Sequence, residues 1–372
     1  MSVTIDIAGL PPEHLVFSPS PLAELCAALH ALAEPTHHPG LQGWTTATNA
    51  ALRPDLADRL CEADFLWRSA HSDTDLPFAA LPDTRGRPGA TLSEDLDLLD
   101  RLDDDLFVDA ALDISCHRDY EPNGPSPLVN AEVRAQALER ATARGTRQAE
   151  FAQRLLADPP AVRAWLRRLF EDCAEAFFDD LWQRVRARLA ADARHKTEVL
   201  RRKGLAQALA EVSPALALDE SGTRIVVDKL SSGHADALDP AVGPGVTFVP
   251  SSVGRPHLWV LHAPGWRPVV HYPAAAPDVP GPGSLDLLQL RMEALSHPLR
   301  ILMCRYLARS AVTTGELAAA HGITPPEVSR HITVLRKAGL ITTRRRGRYV
   351  LHQLDLTAVA RLGSDFLEGV LR

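Results

Sequence analysis

The stretch that most constrains the fold runs from Thr313 to Leu354, TTGELAAAHGITPPEVSRHITVLRKAGLITTRRRGRYVLHQL. Gly315 to His321 is rich in helix formers and follows Thr313 and Thr314, either of which is a good N-cap. Gly322 then supplies the residue type best suited to a left-handed helix stop. Thr324 caps a second helix, with Pro325 at its first position and Glu327 placed three residues on to close a capping box. This helix is expected to reach about Ala338 and to end at Gly339. At 1.5 Å per residue it is roughly 20 Å long, enough to lie across a DNA major groove.

Periodicity divides the faces of that helix. Val328, Ile332 and Leu335 recur at i, i+4 and i+7 and form a stripe to be buried. Pro326, Ser329, Arg330, Thr333 and Lys337 face the other way, flanked by Glu327 and Arg336, and their hydroxyls and cations suit base edges and phosphates. Leu340 to Thr343 and Tyr349 to Leu351 read as strands joined by Arg344, Arg345, Arg346, Gly347 and Arg348. Four arginines in five residues repel one another unless an anion is near, and behind a helix-turn-helix they read as a wing lying on a phosphate backbone or in a minor groove. An arginine cluster standing alone would be a solvated loop.

Five segments together closely resemble the arsenic-repressor (ArsR/SmtB) family of winged-helix regulators. They are Ala294 to Leu302 (ALSHPLRIL), Gly315 to Ala318 (GELA), Val328 to Ile332 (VSRHI), Leu335 to Leu340 (LRKAGL) and Arg345 to Tyr349 (RRGRY). The resemblance covers roughly the last 85 residues, in order. It implies a homodimer whose Ser-x-His helix enters the major groove and whose repression is relieved by an effector. It also implies that Ser329, Arg330 and His331 are the core of the contact, although helical projection places His331 near the edge of the apolar stripe. The expected DNA-contacting set is therefore Thr324, Pro325, Ser329, Arg330, His331, Thr333, Arg336, Lys337, Arg344, Arg345, Arg346 and Arg348.

Charge separates this tail from the rest of the chain. From Ser284 onward there are 13 Lys and Arg against 7 Asp and Glu, a net of +6. The preceding residues then carry 27 of the 40 bases and 40 of the 47 acids, a net of −13 that the overall −7 conceals. A basic module on an acidic body is the electrostatic signature of a DNA-binding tail. A chain of 372 residues calls for at least two domains, and 45% hydrophobic with 23% charged residues describes a globular one. No apolar run approaches the roughly 18 residues of a membrane span and Met1-Ser2-Val3 opens no signal peptide, so a cytoplasmic location is expected. Five scattered cysteines without a CxxC fit a reducing compartment.

In the front part, Val3 to Ile7 reads as a strand and Pro21 to Leu32 as an amphipathic helix. Glu34 to Gly43, with His37 and His38, reads as a solvated loop. Helices are expected near 55–68 and 93–106, the latter with a solvated acidic face of Asp95, Asp97, Asp100, Asp103, Asp104 and Asp105. The run Cys116-His117-Arg118-Asp119 does not suit catalysis, because neighbouring side chains diverge. From 128 to 212 the pattern is helical, with an aromatic core stripe from Trp165 to Val185 followed by a basic face. After Pro214 four β-branched segments (224–228, 246–250, 257–262 and 268–272) predict a small antiparallel sheet. His257, His262 and His271 lie there, but His257 and His262 would face opposite sides of one regular strand, so no metal site is expected. The order of these helices, Val-Asp-Lys, Phe-Val-Pro-Ser and Gly-Trp-Arg-Pro also resembles an uncharacterised domain found in front of some arsenic-repressor-type winged helices.

The expected architecture is α+β. Residues 1–275 would form a mainly helical sensor or oligomerisation domain with a small antiparallel sheet, 276–284 a Pro/Gly linker, and 285–372 a winged helix-turn-helix. A last helix from about Asp355 to Leu371 carries Val359, Leu362, Phe366 and Val370 at 3–4 spacing, which the resemblance makes the dimer interface. The family's Cys-x-Cys and Asp/His metal positions are unfilled, since Glu316 to His321 holds no cysteine and the last helix no histidine. No catalytic residue or cofactor is expected, because no phosphate loop, GxSxG, HExxH or CxxC is present. The sequence thus points to a dimeric repressor of inverted-repeat, double-stranded DNA, relieved by a small-molecule effector and not by a metal at the family's usual sites. The competing readings are an enzyme, or a protein-interaction scaffold, with a winged helix appended.

Overall fold

The computed structural model describes residues 2–68, 73–116, 124–229, 232–274, 285–346 and 349–371, with Cys116 described in its backbone alone. The chain divides into two compact units, Met1–Pro280 and Gly281–Leu371. The expected linker at 276–284, the stretch 117–119 beyond Cys116, and the wing residues Gly347 and Arg348 lie outside the described residues.

The first unit opens with strands β1 (Ser2–Asp6) and β2 (Leu15–Phe17), followed by helices α1 (Pro21–Ala33), α2 (Gln42–Ala51), α3 (Pro54–Glu62), α4 (Leu92–Asp100) and α5 (Asp104–Cys116). Helices α6 (Ala131–Arg144), α7 (Thr146–Ala157) and α8 (Pro159–Cys173) come next, and a π-turn over Ala174–Phe178 leads into α9 (Asp179–Lys203) and α10 (Leu205–Val212). Side-chain caps explain the starts: Ser20 accepts from the Ala23 N–H, Thr91 from Glu94, Asn130 from Glu132 and Val133, and Asp158 from Ala161. Helix α1 is not amphipathic as its spacing suggested. It is buried from Pro21 to Leu32, including Glu24 and His30, because it runs through the helical core with Leu56, Phe107, Phe151 and Phe178 around it. The 128–212 region is helical as read, and its longest helix, α9, stops at Gly204.

The strand segments do not make one antiparallel sheet. β3 (Leu216–Leu218), β4 (Arg224–Asp228) and β5 (Gly233–Asp236) join β1 in the order β3-β4-β1-β5. β6 (Val246–Ser251), β7 (Trp259–Leu261) and β8 (Val269–Pro273) join β2 in the order β2-β6-β8-β7. In the second of these sheets β2/β6 and β6/β8 pair in parallel and only β7/β8 is antiparallel. The central strand β6 is buried along its whole length, which fits the continuous apolar character of a parallel strand covered on both faces. A core of Ile5, Phe17, Val227, Phe248 and Tyr272 with Leu209 and Val212 joins the two sheets to α9 and α10.

The second unit is α+β on a smaller scale. Helices α11 (Leu285–Leu295) and α12 (Pro298–Leu307) precede the short strand β9 (Val312–Thr313). Helices α13 (Thr314–His321) and α14 (Pro325–Lys337) lead to the hairpin β10 (Ile341–Arg346) and β11 (Tyr349–Leu354), with β11 central in the order β10-β11-β9. The expected single last helix is two, α15 (Leu356–Ala360) and α16 (Leu362–Val370), broken at Arg361. Met303, Leu307, Leu317, Val328, Ile332, Leu335 and Leu340 form the core.

Candidate nucleic-acid interface

The turn between α13 and α14 is built by the signals legible in the chain. The Thr313 N–H and hydroxyl donate to Glu316 Oε2 at 2.7 and 2.9 Å, and the Glu316 N–H returns to Thr313 Oγ1. Gly322 takes φ +64°, the left-handed stop that a side chain rarely adopts. The Thr324 N–H and hydroxyl donate to Glu327 Oε2 at 2.9 and 2.8 Å, and these bonds hold the Glu327 carboxyl below the usual carboxylate range. Val328, Ile332 and Leu335 are buried beneath α14, each burial worth about 1.5–3 kcal/mol.

What this burial leaves outside is a polar face. Thr324, Pro325, Ser329, Arg330, Arg336 and Lys337 are exposed, while Thr333 and His331 are half-buried. The Thr333 hydroxyl donates back to the Ser329 carbonyl at 2.8 Å. The His331 ring lies 4.9 Å from that of His297, which N-caps α12, and partial burial with the neighbouring His297 and Arg300 pushes its pKa down. The strand β10 carries Arg344, Arg345 and Arg346, all exposed and paired in register with Leu351, Val350 and Tyr349. These arginines therefore belong to the strand and not to the connecting turn. Among the described residues Arg330, Arg336, Lys337, Arg344 and Arg346 make no salt bridge. In the first unit, by contrast, Arg59, Arg163 and Arg167 are bound to Asp172, Asp104 and Asp97 with Asp100.

His352 escaped the sequence reading. It is buried on β11, with Nε2 3.3 Å from Thr314 Oγ1 and Nδ1 3.1 Å from Thr343 Oγ1, so one imidazole ties the hairpin to the start of α13. Nothing in its local pattern sets it apart from any strand histidine.

The candidate dimer stripe divides. Val359 and Leu362 pack against this unit's own core, whereas Phe366 and Val370 stay 44% and 43% exposed. Leu285 and Leu290 on α11 are equally bare. Helices α11 and α16 approach closely at Gly369, where a Cβ would sit 3.0 Å from a Leu285 methyl. Buried Asp365 accepts from Arg291 Nη1 at 2.5 Å and from Arg361 at 3.4 Å, so it is engaged in holding α16 to α11. Asp355 caps α15.

In the first unit the acidic face is only partly solvated. Asp97 and Asp100 meet Arg167, but Asp95 is fully buried. Its Oδ2 accepts from Ser20 Oγ (2.8 Å) and the Leu22 N–H (3.1 Å) and its Oδ1 from the Gly89 N–H (2.6 Å), while burial raises its pKa to about 6. The His37–His38 loop is also not solvated. Two short 3-10 turns fold it onto α1, with His38 buried and His37 half-buried beside His30 and His257. Burial, aided by the His30 ring, lowers the His38 pKa to about 4. His262 and His271 stay out of this group; His271 stacks on Trp259 at 5.2 Å. Both His257 and His262 fall outside the three-residue β7, which removes the alternation that was expected to separate them.

A family profile described as a family of unknown function (DUF5937) matches residues 1–278, and one described as a helix-turn-helix domain matches residues 295–344. A biofilm growth-associated repressor of Agrobacterium fabrum is 35% identical over 71 residues, which are 19% of this chain and 61% of that protein. The chain thus spans less than two thirds of that relative's length. The HTH-type transcriptional repressor SmtB of Mycobacterium tuberculosis is 35% identical over 103 residues, covering 25% of this chain and 76% of the repressor. Among solved structures, a possible transcriptional regulator for arsenical resistance is 32% identical, with a TM-score of 0.20, over 20% of this chain and 79% of that one. Among the described residues no helix is long and apolar enough to cross a membrane.

Proposed function

This chain belongs to the family of unknown function DUF5937 and carries a C-terminal helix-turn-helix of the arsenic-repressor (ArsR/SmtB) type, a DNA-binding transcriptional regulator module, and from that premise we propose that it is a dimeric repressor. In this reading α14 lies in the major groove, with Ser329, Arg330 and Thr333 toward base edges and Arg336 and Lys337 toward phosphates. The arginines of β10 track the flanking backbone or minor groove. The dimer forms through Phe366 and Val370 of α16 with Leu285 and Leu290 of α11. The first unit, with no catalytic signature in its sequence, senses an effector that is not a metal at the family's usual positions.

The observation that carries this reading is the exposed cationic face of α14, without a salt bridge among the described residues and held outward by burial of Val328, Ile332 and Leu335. A mobility-shift assay on the chain's own upstream region tests it. Wild type should shift an inverted repeat with half-sites about one helical turn apart. Arg330→Ala should weaken that shift at least tenfold, since a good base contact is worth about 1–3 kcal/mol. Equal shifts by both proteins would contradict the assignment of α14.

A further inference from the structure

The four imidazoles at the end of α1 form a cluster that the DNA-binding reading leaves unused. His30, His37, His38 and His257 lie with every pair of ring centroids between 4.7 and 6.5 Å apart. His30, His38 and His257 are buried, and His37 is half-buried at the rim.

Hydrogen bonding sets the tautomers of two of these rings. A carbonyl oxygen can only accept, so His30 Nδ1–H donates to the Trp67 carbonyl at 2.7 Å and His38 Nδ1–H to the Arg255 carbonyl at 2.6 Å. In a neutral imidazole the other nitrogen then carries a bare lone pair. For His30 that atom, Nε2, lies 3.0 Å from His257 Nε2 and accepts from it when His257 is protonated there; with the His257 proton on Nδ1, both lone pairs face one ion. Among the described residues, the buried His38 Nε2 has no hydrogen-bond partner, and the same holds for His37 Nδ1. Buried acceptors left without a donor cost about 1–3 kcal/mol each, so their gathering in one place calls for an occupant. A ring fixed through its far nitrogen on a main-chain carbonyl, with the near nitrogen turned into the cluster, is the arrangement that orients a metal-ligating histidine.

We propose that His30, His37 and His257 bind one divalent transition-metal ion, Zn(II) or a neighbour that prefers nitrogen donors, with His38 completing the wall of the site. Their donor atoms lie within 4.8 Å of one another. Bonds of about 2.0–2.1 Å in tetrahedral geometry need donors about 3.4 Å apart. The His30–His257 pair is already near that spacing, and a shift of up to about 1.4 Å (4.8 less about 3.4) of the half-buried His37 ring closes the remainder. An all-imidazole set favours zinc, nickel, cobalt or copper over magnesium or calcium, which need oxygen donors. Trp259 flanks one side, its ring 5.1 Å from His257 and 5.7 Å from His30. This inference concerns the first unit alone and stands whether or not the second unit reads DNA as proposed.

The test is a titration of the untagged full-length chain, stripped of metal, with Co(II) followed by displacement with Zn(II). One Co(II) per chain should bind, with the intense visible bands of a four-coordinate ion that Zn(II) abolishes. His30→Gln and His257→Gln should each lower the affinity by well over about a hundredfold, beyond the roughly 10–100-fold expected from losing an outer partner. His37→Ala, altered at a half-exposed position that the fold tolerates, should also lose the bands while keeping the wild-type circular dichroism. His262→Gln should bind as wild type does. Absence of stoichiometric binding, or bands that survive in His37→Ala and His257→Gln, would overturn the site.

Discussion

Arg330 and Asp95 put a single charge to opposite uses. Arg330 is exposed on α14 and forms no salt bridge among the described residues, whereas Asp95 is sealed inside and uses its oxygens to hold the starts of α1 and α4 together. Asp95→Asn replaces one acceptor with a donor facing an N–H or O–H, and should destabilise the first unit by about 1–3 kcal/mol in urea unfolding. Burial raises the folded pKa to about 6, above an unfolded value near 3.9. The stability linked to this proton is therefore complete below about pH 4 and is lost as pH rises through about 6. The gap between wild type and Asp95→Asn should narrow over that window by no more than about 3 kcal/mol; a gap that widens would contradict the buried assignment. Local pattern could not have placed this residue, because its partners Ser20 and Leu22 stand 75 and 73 positions away.

At the scale of elements, the helix-turn-helix was the most legible part of the chain. Its caps, its glycine stop and its apolar stripe are all set within a few residues, so local chemistry decides them. The sheets were not legible in the same way. β-branched runs announce strands but say nothing of partners, and the parallel pairing of β2 with β6 joins segments from opposite ends of the first unit. The histidine cluster was missed for a similar reason, since His30 and His257 are 227 positions apart. α1 misled because its leucine spacing looks amphipathic while the surrounding helices bury its other face too. His352 offers an element-scale prediction. His352→Ala removes both threonine contacts, so amide exchange in β10 should accelerate about tenfold, the rate equivalent of one lost hydrogen bond of about 1.4 kcal/mol, while α14 keeps its protection. Unchanged exchange in β10 would mean that the hairpin pairing alone holds the wing.

At the scale of the whole molecule, the chain joins an acidic body to a basic reader, and two consequences are measurable. Phe366→Glu with Val370→Glu places carboxylates on the bare face of α16 without touching this unit's core. Sedimentation should then show wild type as a dimer and this variant as a monomer, and affinity for an inverted repeat should fall at least tenfold; an unchanged dimer would move the interface elsewhere. The second consequence is the salt dependence of DNA binding, which follows from the net +6 that begins at Ser284. The most direct measurement is fluorescence anisotropy of an upstream-region duplex against log salt concentration, for wild type and for Arg345→Ala/Arg346→Ala. Wild-type affinity should fall steeply with salt, and the variant should bind more weakly with a slope shallower by about 2, one for each phosphate contact removed. A shallow wild-type slope, or one that the two substitutions leave unchanged, would contradict the reading of this tail as an arginine-winged DNA binder.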